Sequence, residues 1–344
     1  MNTALVTPPR PLDVTAVFPE LAPLARTATR LHPRPGAPTW RDSSIGGPLL
    51  WPADEPWPHC DGPHVVDGMN PALSPADIRL ERRIRAASHG RSLTPQERAA
   101  LERIRPPQEY PLRVDVQPYE GSLAMLPVAQ LYARDVPDLP TPDGADLLQV
   151  LWCPFDHPIM PRTALFWRSA ATVTDVLGTP PEPPATQFDG YLPEPCLLTP
   201  EQVTEYPDHL ELSAELRERL GEWSVPQADE EDMDPRTYYD CVLSTAPGWK
   251  VGGWPAWGPT DPAPRPCPAC GTGMEALLTI ATFEEGDDKG RSWSPYEAPG
   301  TEPSPGGGRF GPGRPTEVQI GSGYKQQLYV CPAEPGHPHI ELMQ

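Results

Sequence analysis

The sequence predicts an α+β, β-rich fold, with internally duplicated antiparallel sheets (a barrel or a sandwich) and an inserted helical hairpin. Three observations predict it. Proline makes up 53 of the 344 residues, a frequency that interrupts helices and central strands and favours short strands joined by long loops. A pattern of Gly-Gly, tryptophan, proline and cysteine occurs twice, and residues 71–106 carry two signals that start helices.

The duplicated pattern begins at Ser43, in SSIGGPLLWPADEPWPHC, and again at Lys250, in KVGGWPAWGPTDPAPRPC. Apolar, partly alternating segments bounded by turns predict the strands of each copy. In the first copy they are 119–134, 146–155 and 163–168, and in the second 274–283 and 326–331. We expect 41–175 and 246–335 to form related sheets. We divide the chain into 1–245, with the insertion 71–106, and 246–344, packed as one pseudo-duplicated unit.

Capping signals predict the helices. Ser74-Pro75 and the capping box from Thr94 to Glu97 begin the two helices of the hairpin. The same logic predicts a helix from Thr199, and apolar spacing predicts helices within 13–27 and 213–223. Residues 284–315 are rich in glycine, proline and serine and predict a mobile loop. The hairpin concentrates arginines, which we interpret as a solvated face paired with glutamates, or alternatively as a docking surface: Arg79, Arg82, Arg83, Arg85, Arg91, Arg98, Arg103 and Arg105.

The Cys-x2-Cys pair of Cys267 and Cys270 is typical of a zinc knuckle, because two thiolates on one tight turn can reach a single ion. Cys331 follows a predicted strand, and His337 lies six residues beyond it. Structural zinc prefers four such ligands in a closed tetrahedral site. We therefore predict a Zn site formed by Cys267, Cys270, Cys331 and His337, with Glu334 and then His339 as weaker choices for the fourth ligand. A redox pair or plain buried thiols are the alternatives.

The first copy lacks the knuckle, since Asp61 and Gly62 follow Cys60. Cys153, with His157 downstream, mirrors Cys331 and its histidine, which allows a second metal site formed by Cys60, Cys153 and His157. The favoured interpretation of Cys153, beside Trp152, is a buried strand thiol.

The net charge of -20 argues against binding to nucleic acid or to an anionic membrane and favours a basic protein partner. The N-terminus lacks the pattern of a signal peptide, and no apolar run has the length of a membrane helix. We therefore expect a cytoplasmic protein, in which the seven cysteines are thiols or metal ligands. The arginine-rich, lysine-poor composition suggests a bacterial genome of high GC content.

Short motifs make the chain resemble the bacterial YwqG-like family, a domain of unknown function. They are Ser44-Ile45-Gly46-Gly47 with Trp51-Pro52, then 127–131, 147–154 and 251–255. The second half is also similar to the programmed cell death protein 2 group, in which a lysine-x-Gly-Gly turn precedes Cys-x2-Cys and an apolar strand. The resemblance implies a β-rich duplicated fold and, through the eukaryotic group, a chaperone for a ribosomal protein. Glu334 departs from a four-cysteine site.

The sequence contains no nucleophile elbow, phosphate-binding loop, dinucleotide glycine motif or His-Glu-x-x-His. We therefore predict a non-catalytic protein-binding protein with a structural zinc site, chaperone-like for a basic client. Its alternatives are an immunity-type protein that neutralises a toxin and a hydrolytic metalloenzyme. Two pairs of tryptophans could flank a binding groove between the copies, or instead cover the ends of the sheets: Trp51 and Trp57, and Trp254 and Trp257.

Overall fold

The structure is a computed structural model that describes residues 5–67, 72–106, 116–157, 159–230, 233–285, 292–297 and 313–344. Its strands are β1 (Leu5–Val6), β2 (Arg26–Arg30), β3 (Arg34–Pro35), β4 (Ser44–Ile45), β5 (His59–Cys60), β6 (Val65–Asp67), β7 (Val116–Pro118), β8 (Leu123–Ala124), β9 (Leu126–Tyr132), β10 (Leu147–Asp156), β11 (Pro161–Arg168), β12 (Cys196–Leu197), β13 (Glu201–Glu205), β14 (Lys250–Gly252), β15 (Glu275–Ala281), β16 (Tyr296–Glu297), β17 (Lys325–Val330) and β18 (Ile340–Met343). The α-helices are α1 (Val14–Val17), α2 (Pro75–Ala87), α3 (Pro95–Ile104), α4 (Ala214–Glu230) and α5 (Pro235–Tyr238). The 3₁₀-helices are Pro19–Leu24, Ala170–Thr172, Asp189–Tyr191 and His209–Glu211, and Tyr239–Ser244 is a π-helical turn.

Two six-stranded antiparallel sheets form the body of the protein. The first sheet has the order β3-β12-β4-β9-β10-β11, and the second has the order β13-β2-β14-β15-β17-β18. Apolar side chains from both sheets meet in one buried core, including Val128 and Val150 from the first and Leu278 and Leu328 from the second. The predicted α+β, duplicated antiparallel fold is confirmed, in its sandwich form.

The strand order reveals how the duplication is built. Repeat 1 (residues 26–168) contributes β2, β3, β4, β9, β10 and β11, and repeat 2 (residues 196–343) contributes β12, β13, β14, β15, β17 and β18. In each repeat the last five of these strands lie in one sheet. The first strand of each repeat lies in the sheet of the other repeat. β2 of repeat 1 pairs with β14, and β12 of repeat 2 pairs with β4, which is the equivalent position. Each repeat therefore lends one strand to the other.

The two connections that carry this exchange lie against each other. Residues 31–33 join β2 to β3, and residues 198–200 join β12 to β13. Thr199 N donates to Leu31 O at 3.0 Å, and His32 Nε2 lies 3.0 Å from Glu201 Oε2. β2 and β13 both come before residue 245, but they belong to the second sheet. The predicted division at residue 245 therefore does not separate the two sheets.

Equivalent glycines end the equivalent strands β4 and β14. Gly46 has φ +63° and Gly252 has φ +69°, in the left-handed region that favours glycine. The lysine before the second turn, Lys250, is 1 % exposed, and its Nζ donates to Glu205 Oε1 at 2.6 Å and to Trp254 O at 2.8 Å. The Lys-x-Gly-Gly segment thus holds a buried ion pair between β14 and β13.

The predicted helical hairpin is present as α2 and α3. Thr94 Oγ1 accepts from Glu97 N at 3.2 Å, and Glu97 Oε2 accepts from Thr94 N at 2.8 Å, which is the expected capping box. Six of the eight arginines form ion pairs with carboxylates, which supports the solvated, paired-face interpretation. These arginines are Arg79, Arg82, Arg85, Arg91, Arg103 and Arg105.

The other helix predictions had mixed outcomes. The helix predicted from Thr199 is wrong, because the segment forms β13 and pairs along its whole length with β2. All but the first residue of the amphipathic segment 213–223 lies within α4, whose Leu216 and Leu220 pack in one buried cluster with Phe18 and Leu21. Most of the predicted loop 284–315 lies outside the described residues. None of the helices in the described part of the chain is both long and apolar enough to cross a membrane.

Candidate metal centres

The predicted knuckle residues converge at one end of the second sheet. We call Cys267, Cys270, Cys331 and His337 the C-terminal cluster. The two first cysteines lie on the turn before β15, and the other two residues follow β17, the strand that pairs with β15. Within the turn, Gly271 N donates to Cys267 O at 2.8 Å, with Gly271 at φ +76°. Strand pairing therefore brings together residues that are far apart in sequence.

The spacing within the C-terminal cluster suits a tetrahedral ion. Cys270 Sγ lies 3.5 Å from Cys331 Sγ, and Cys267 Sγ lies 3.6 Å from His337 Nδ1. Zinc–sulfur and zinc–nitrogen bond lengths give tetrahedral edges of about 3.5–3.8 Å. All four ligand atoms lie within 4.8 Å of one another, so the set could hold a metal ion.

The structure uses the two alternative fourth ligands elsewhere. Glu334 Oε1 accepts from Gly336 N at 3.0 Å and shapes the turn that carries His337. His339 Nε2 lies 2.8 Å from Thr163 Oγ1, on β11. Among these candidates, His337 is the one whose ring nitrogen joins the three sulfurs.

Cys270 differs from the other two cysteines of the C-terminal cluster in its surroundings. It is exposed, whereas Cys267 and Cys331 are buried. Hydrogen bonding from Thr272, whose Oγ1 lies 3.3 Å from the sulfur, lowers the pKa of Cys270 to about 6. This thiol therefore ionises readily, which favours its role as a metal ligand.

A second set of four residues converges in the other repeat. We call Cys60, His64, Cys153 and His157 the N-terminal cluster. Cys60 lies on β5, which pairs with β8, and His64 follows four residues later. Cys153 lies within β10 and His157 directly after it. The two cysteines belong to a buried cluster that also contains Trp57 and Phe155.

The N-terminal cluster has the same short sulfur–nitrogen distances. Cys60 Sγ lies 3.4 Å from His157 Nε2, and Cys153 Sγ lies 3.3 Å from His64 Nε2. Burial, and the positive charge of nearby Arg162, lower the pKa of His157 to about 4. Burial also lowers the pKa of His64 and raises that of Cys153. The lowered pKa values of both histidines favour the neutral imidazoles that metal binding requires, and this set too could hold a metal ion.

Sequence reasoning found three members of the N-terminal cluster and missed His64. The knuckle pattern is absent here, because no second cysteine follows Cys60 at the Cys-x2-Cys spacing. The available signal was a histidine four residues beyond Cys60, because histidine replaces cysteine in many zinc sites. Cys153 is both a buried strand thiol, as the sequence predicted, and a member of this cluster.

A third group contains Asp208, His209 and Asp240, whose ligand atoms are also close enough to hold an ion. Its carboxylates already have partners. Asp208 Oδ1 accepts from Leu210 N at 2.9 Å and Oδ2 from Trp257 N at 3.3 Å, while His209 Nδ1 bonds to Asp240. Asp240 raises the pKa of His209 through that bond. The group thus fastens the π-helical turn to the segment before α4.

The tryptophans proposed to flank a groove have different positions in the two repeats. Trp51 and Trp57 are 0 % and 7 % exposed and contact each other in the core. Trp254 and Trp257 are partly exposed, and each lies against an arginine side chain. The pair in repeat 1 is therefore buried and offers little surface to a partner.

No family model matches the chain, and no curated protein matches it. The chemistry of the two clusters is thus the main indication of function.

Proposed function

We propose that the C-terminal cluster binds one zinc ion as a structural centre. The observation that carries this proposal is the convergence of three sulfurs and one imidazole nitrogen at one end of the β15–β17 pair. Soft thiolates with a tetrahedral arrangement favour zinc, and four protein ligands leave no position for substrate. When bound, the ion would tie the turn before β15 to the segment after β17.

Elemental analysis of the purified full chain tests this site. We expect zinc to co-purify and to survive dialysis against a weak chelator. Cys270→Ser should release one zinc ion per chain, and Cys196→Ser is the matched control, because Cys196 is a buried thiol bonded to Pro315 O outside both clusters. Cys270→Ser protein that keeps all of its zinc would refute the assignment.

For the protein as a whole we propose a non-catalytic role in binding a basic protein in a reducing compartment such as the cytoplasm, where thiols remain available as ligands. The charge of -20 supports this role. The 27 lysines and arginines include seven that are already paired with carboxylates: Lys250 with Glu205 in the interior, and six arginines of the hairpin. An acidic surface of this kind accelerates encounter with a basic partner.

Two surface cavities lie apart from the C-terminal cluster. One, of about 440 Å³, is lined in part by Asp42, Arg134 and Asp135. The other, of about 240 Å³, is lined in part by Arg10, Asp13 and Tyr206. Neither contains a residue of the cluster. This separation supports a structural role for the ion.

Affinity purification from the host at two salt concentrations tests partner binding. The expected partner is a basic protein that is retained at about 0.1 M salt and released towards 1 M, where the Debye length falls from about 10 Å to about 3 Å. A ribosomal protein would favour the chaperone-like role, and a toxin the immunity role. Partners that are acidic or insensitive to salt, or none at either concentration, would contradict the proposal.

A further inference from the structure

The N-terminal cluster occupies the same place in its repeat as the C-terminal cluster does in the other. β10 and β17 are each the second strand from one edge of their sheets: β10 lies between β9 and β11, and β17 lies between β15 and β18. Cys153 lies near the end of β10 and Cys331 directly after β17, and a proline follows each cysteine. Each histidine comes a few residues later.

The other half of each cluster also corresponds. Cys60 and His64 lie between β4, which is followed by the left-handed Gly46, and β9, its neighbour in the sheet. Cys267 and Cys270 lie between β14, which ends in the left-handed Gly252, and β15, its neighbour. The duplication therefore explains why both repeats assemble four thiol and imidazole groups at one sheet end.

The charges and burial of the N-terminal cluster suit zinc. Cys60, His64 and Cys153 are 5 %, 3 % and 0 % exposed. Two thiolates and two neutral imidazoles around Zn²⁺ give a site without net charge, which a buried position tolerates far better than separate charges. The C-terminal cluster would carry one net negative charge, and its Cys270 is exposed.

We propose that the chain holds a second structural zinc ion, bound by Cys60, His64, Cys153 and His157, so that each repeat carries one centre. The second ion would join Cys60 and His64, on and after β5, to the end of β10. The first ion would join the Cys-x2-Cys turn to the end of β17 in the same way. In forming the site, the two thiols lose their protons to solvent and the imidazoles bind through Nε2, the nitrogens that already face the sulfurs.

Zinc content of single-site variants of the full chain tests this proposal. We expect two zinc ions per chain in the unmodified protein, one in His157→Asn, one in Cys270→Ser, and none in the variant with both changes. His157 is only partly buried, so its substitution perturbs the core less than a change at Cys153. The control Cys196→Ser should keep both ions.

Cobalt(II) substitution supplies a second readout. The Cys270→Ser chain loaded with cobalt should show the absorption of a tetrahedral cobalt–thiolate site, and adding Cys60→Ser should abolish it. One zinc ion in the unmodified chain, with no loss in His157→Asn, would overturn the second centre and leave the first intact. Loss only in His157→Asn would instead overturn the first.

Discussion

Removing zinc from the C-terminal cluster should destabilise the protein by an amount that follows from the chain length the ion bridges. Cys270 and Cys331 are 61 residues apart. A metal bound to the unfolded chain would have to close this loop, whereas in the folded state pairing of β15 with β17 has already done so. Closing a loop of that length costs about 4 kcal/mol, so zinc binds the folded state more tightly by about that amount.

The corresponding change in melting temperature is modest because the chain is long. An unfolding entropy of about 2.1 cal/mol/K per residue gives a shift of about 6 °C for a loss of about 4 kcal/mol. The assay is thermal unfolding of the full chain, saturated with zinc and then after treatment with a strong chelator. Readdition of zinc should restore the higher melting temperature.

Cys270→Ser separates the effect of the ion from that of packing. Its side chain is exposed, so in metal-free protein the substitution should change the free energy of unfolding by no more than about 0.5 kcal/mol. In zinc-loaded protein the same substitution should cost about 4 kcal/mol. Equal costs with and without zinc would refute the reasoning, as would a melting temperature insensitive to the chelator.

The buried charges give three further predictions. Lys250→Met should cost about 3–5 kcal/mol because it leaves Glu205 buried without its counter-charge; denaturant unfolding measures this, and adding Glu205→Gln should recover part of the loss. Gly253→Ala should destabilise strongly, because Gly253 has φ +70° and a Cβ there would lie 2.2 Å from Glu205 Oε2; Gly178→Ala, in open space, is the control. Burial and the positive charge of Arg30 lower the pKa of His32 to about 4 in the folded state, against about 6.5 in the unfolded chain. The unfolded state therefore takes up a proton first as the pH falls from about 6.5 towards about 4. The free energy of unfolding should drop by about 2 kcal/mol near pH 5 relative to its value above about pH 6.5. His32→Asn, which tolerates the positive φ of that residue, should flatten this acid dependence, and an unchanged slope would contradict it.

The elements that the sequence predicted well are those with a local physical cause. The capping box at Thr94 and Glu97 is completed by atoms within four residues, so its signal does not depend on the rest of the fold. The strands β9, β10 and β17 were visible as apolar segments bounded by turns. The C-terminal cluster was predictable because Cys-x2-Cys fixes half of the site within one turn.

The failed helix at Thr199 shows where local signals are insufficient. Thr199-Pro200-Glu201-Gln202 resembles the start of α3, but the β-branched Val203 and Thr204 follow, and they favour a strand. Glu201 accepts hydrogen bonds from Thr7 N and Thr7 Oγ1 and lies beside His32. These partners are more than 160 residues away in sequence, and pairing with β2 overrides the capping signal.

The exchange of β2 and β12 was beyond sequence reasoning for a related reason. Neither strand carries a copy of the Gly-Gly pattern, and which sheet a short strand joins depends on contacts made only after both repeats are formed. The three-residue connections 31–33 and 198–200 each cross from one sheet to the other. A division of the chain at one residue therefore could not describe the two halves.

The strand exchange gives the two clusters a common structural purpose. In each sheet the borrowed strand lies beside the Gly-Gly strand, at β2–β14 and at β12–β4. The Cys/His cluster that could hold a metal ion lies on the other side, where β17 ends in one sheet and β10 ends in the other. Each sheet is thus tied to the opposite repeat on one side, and a bound ion would cross-link its own repeat on the other. Because the cross-linked loops span 61 residues in repeat 2 and 89 in repeat 1, two ions would hold together the long connections that short strands alone secure weakly.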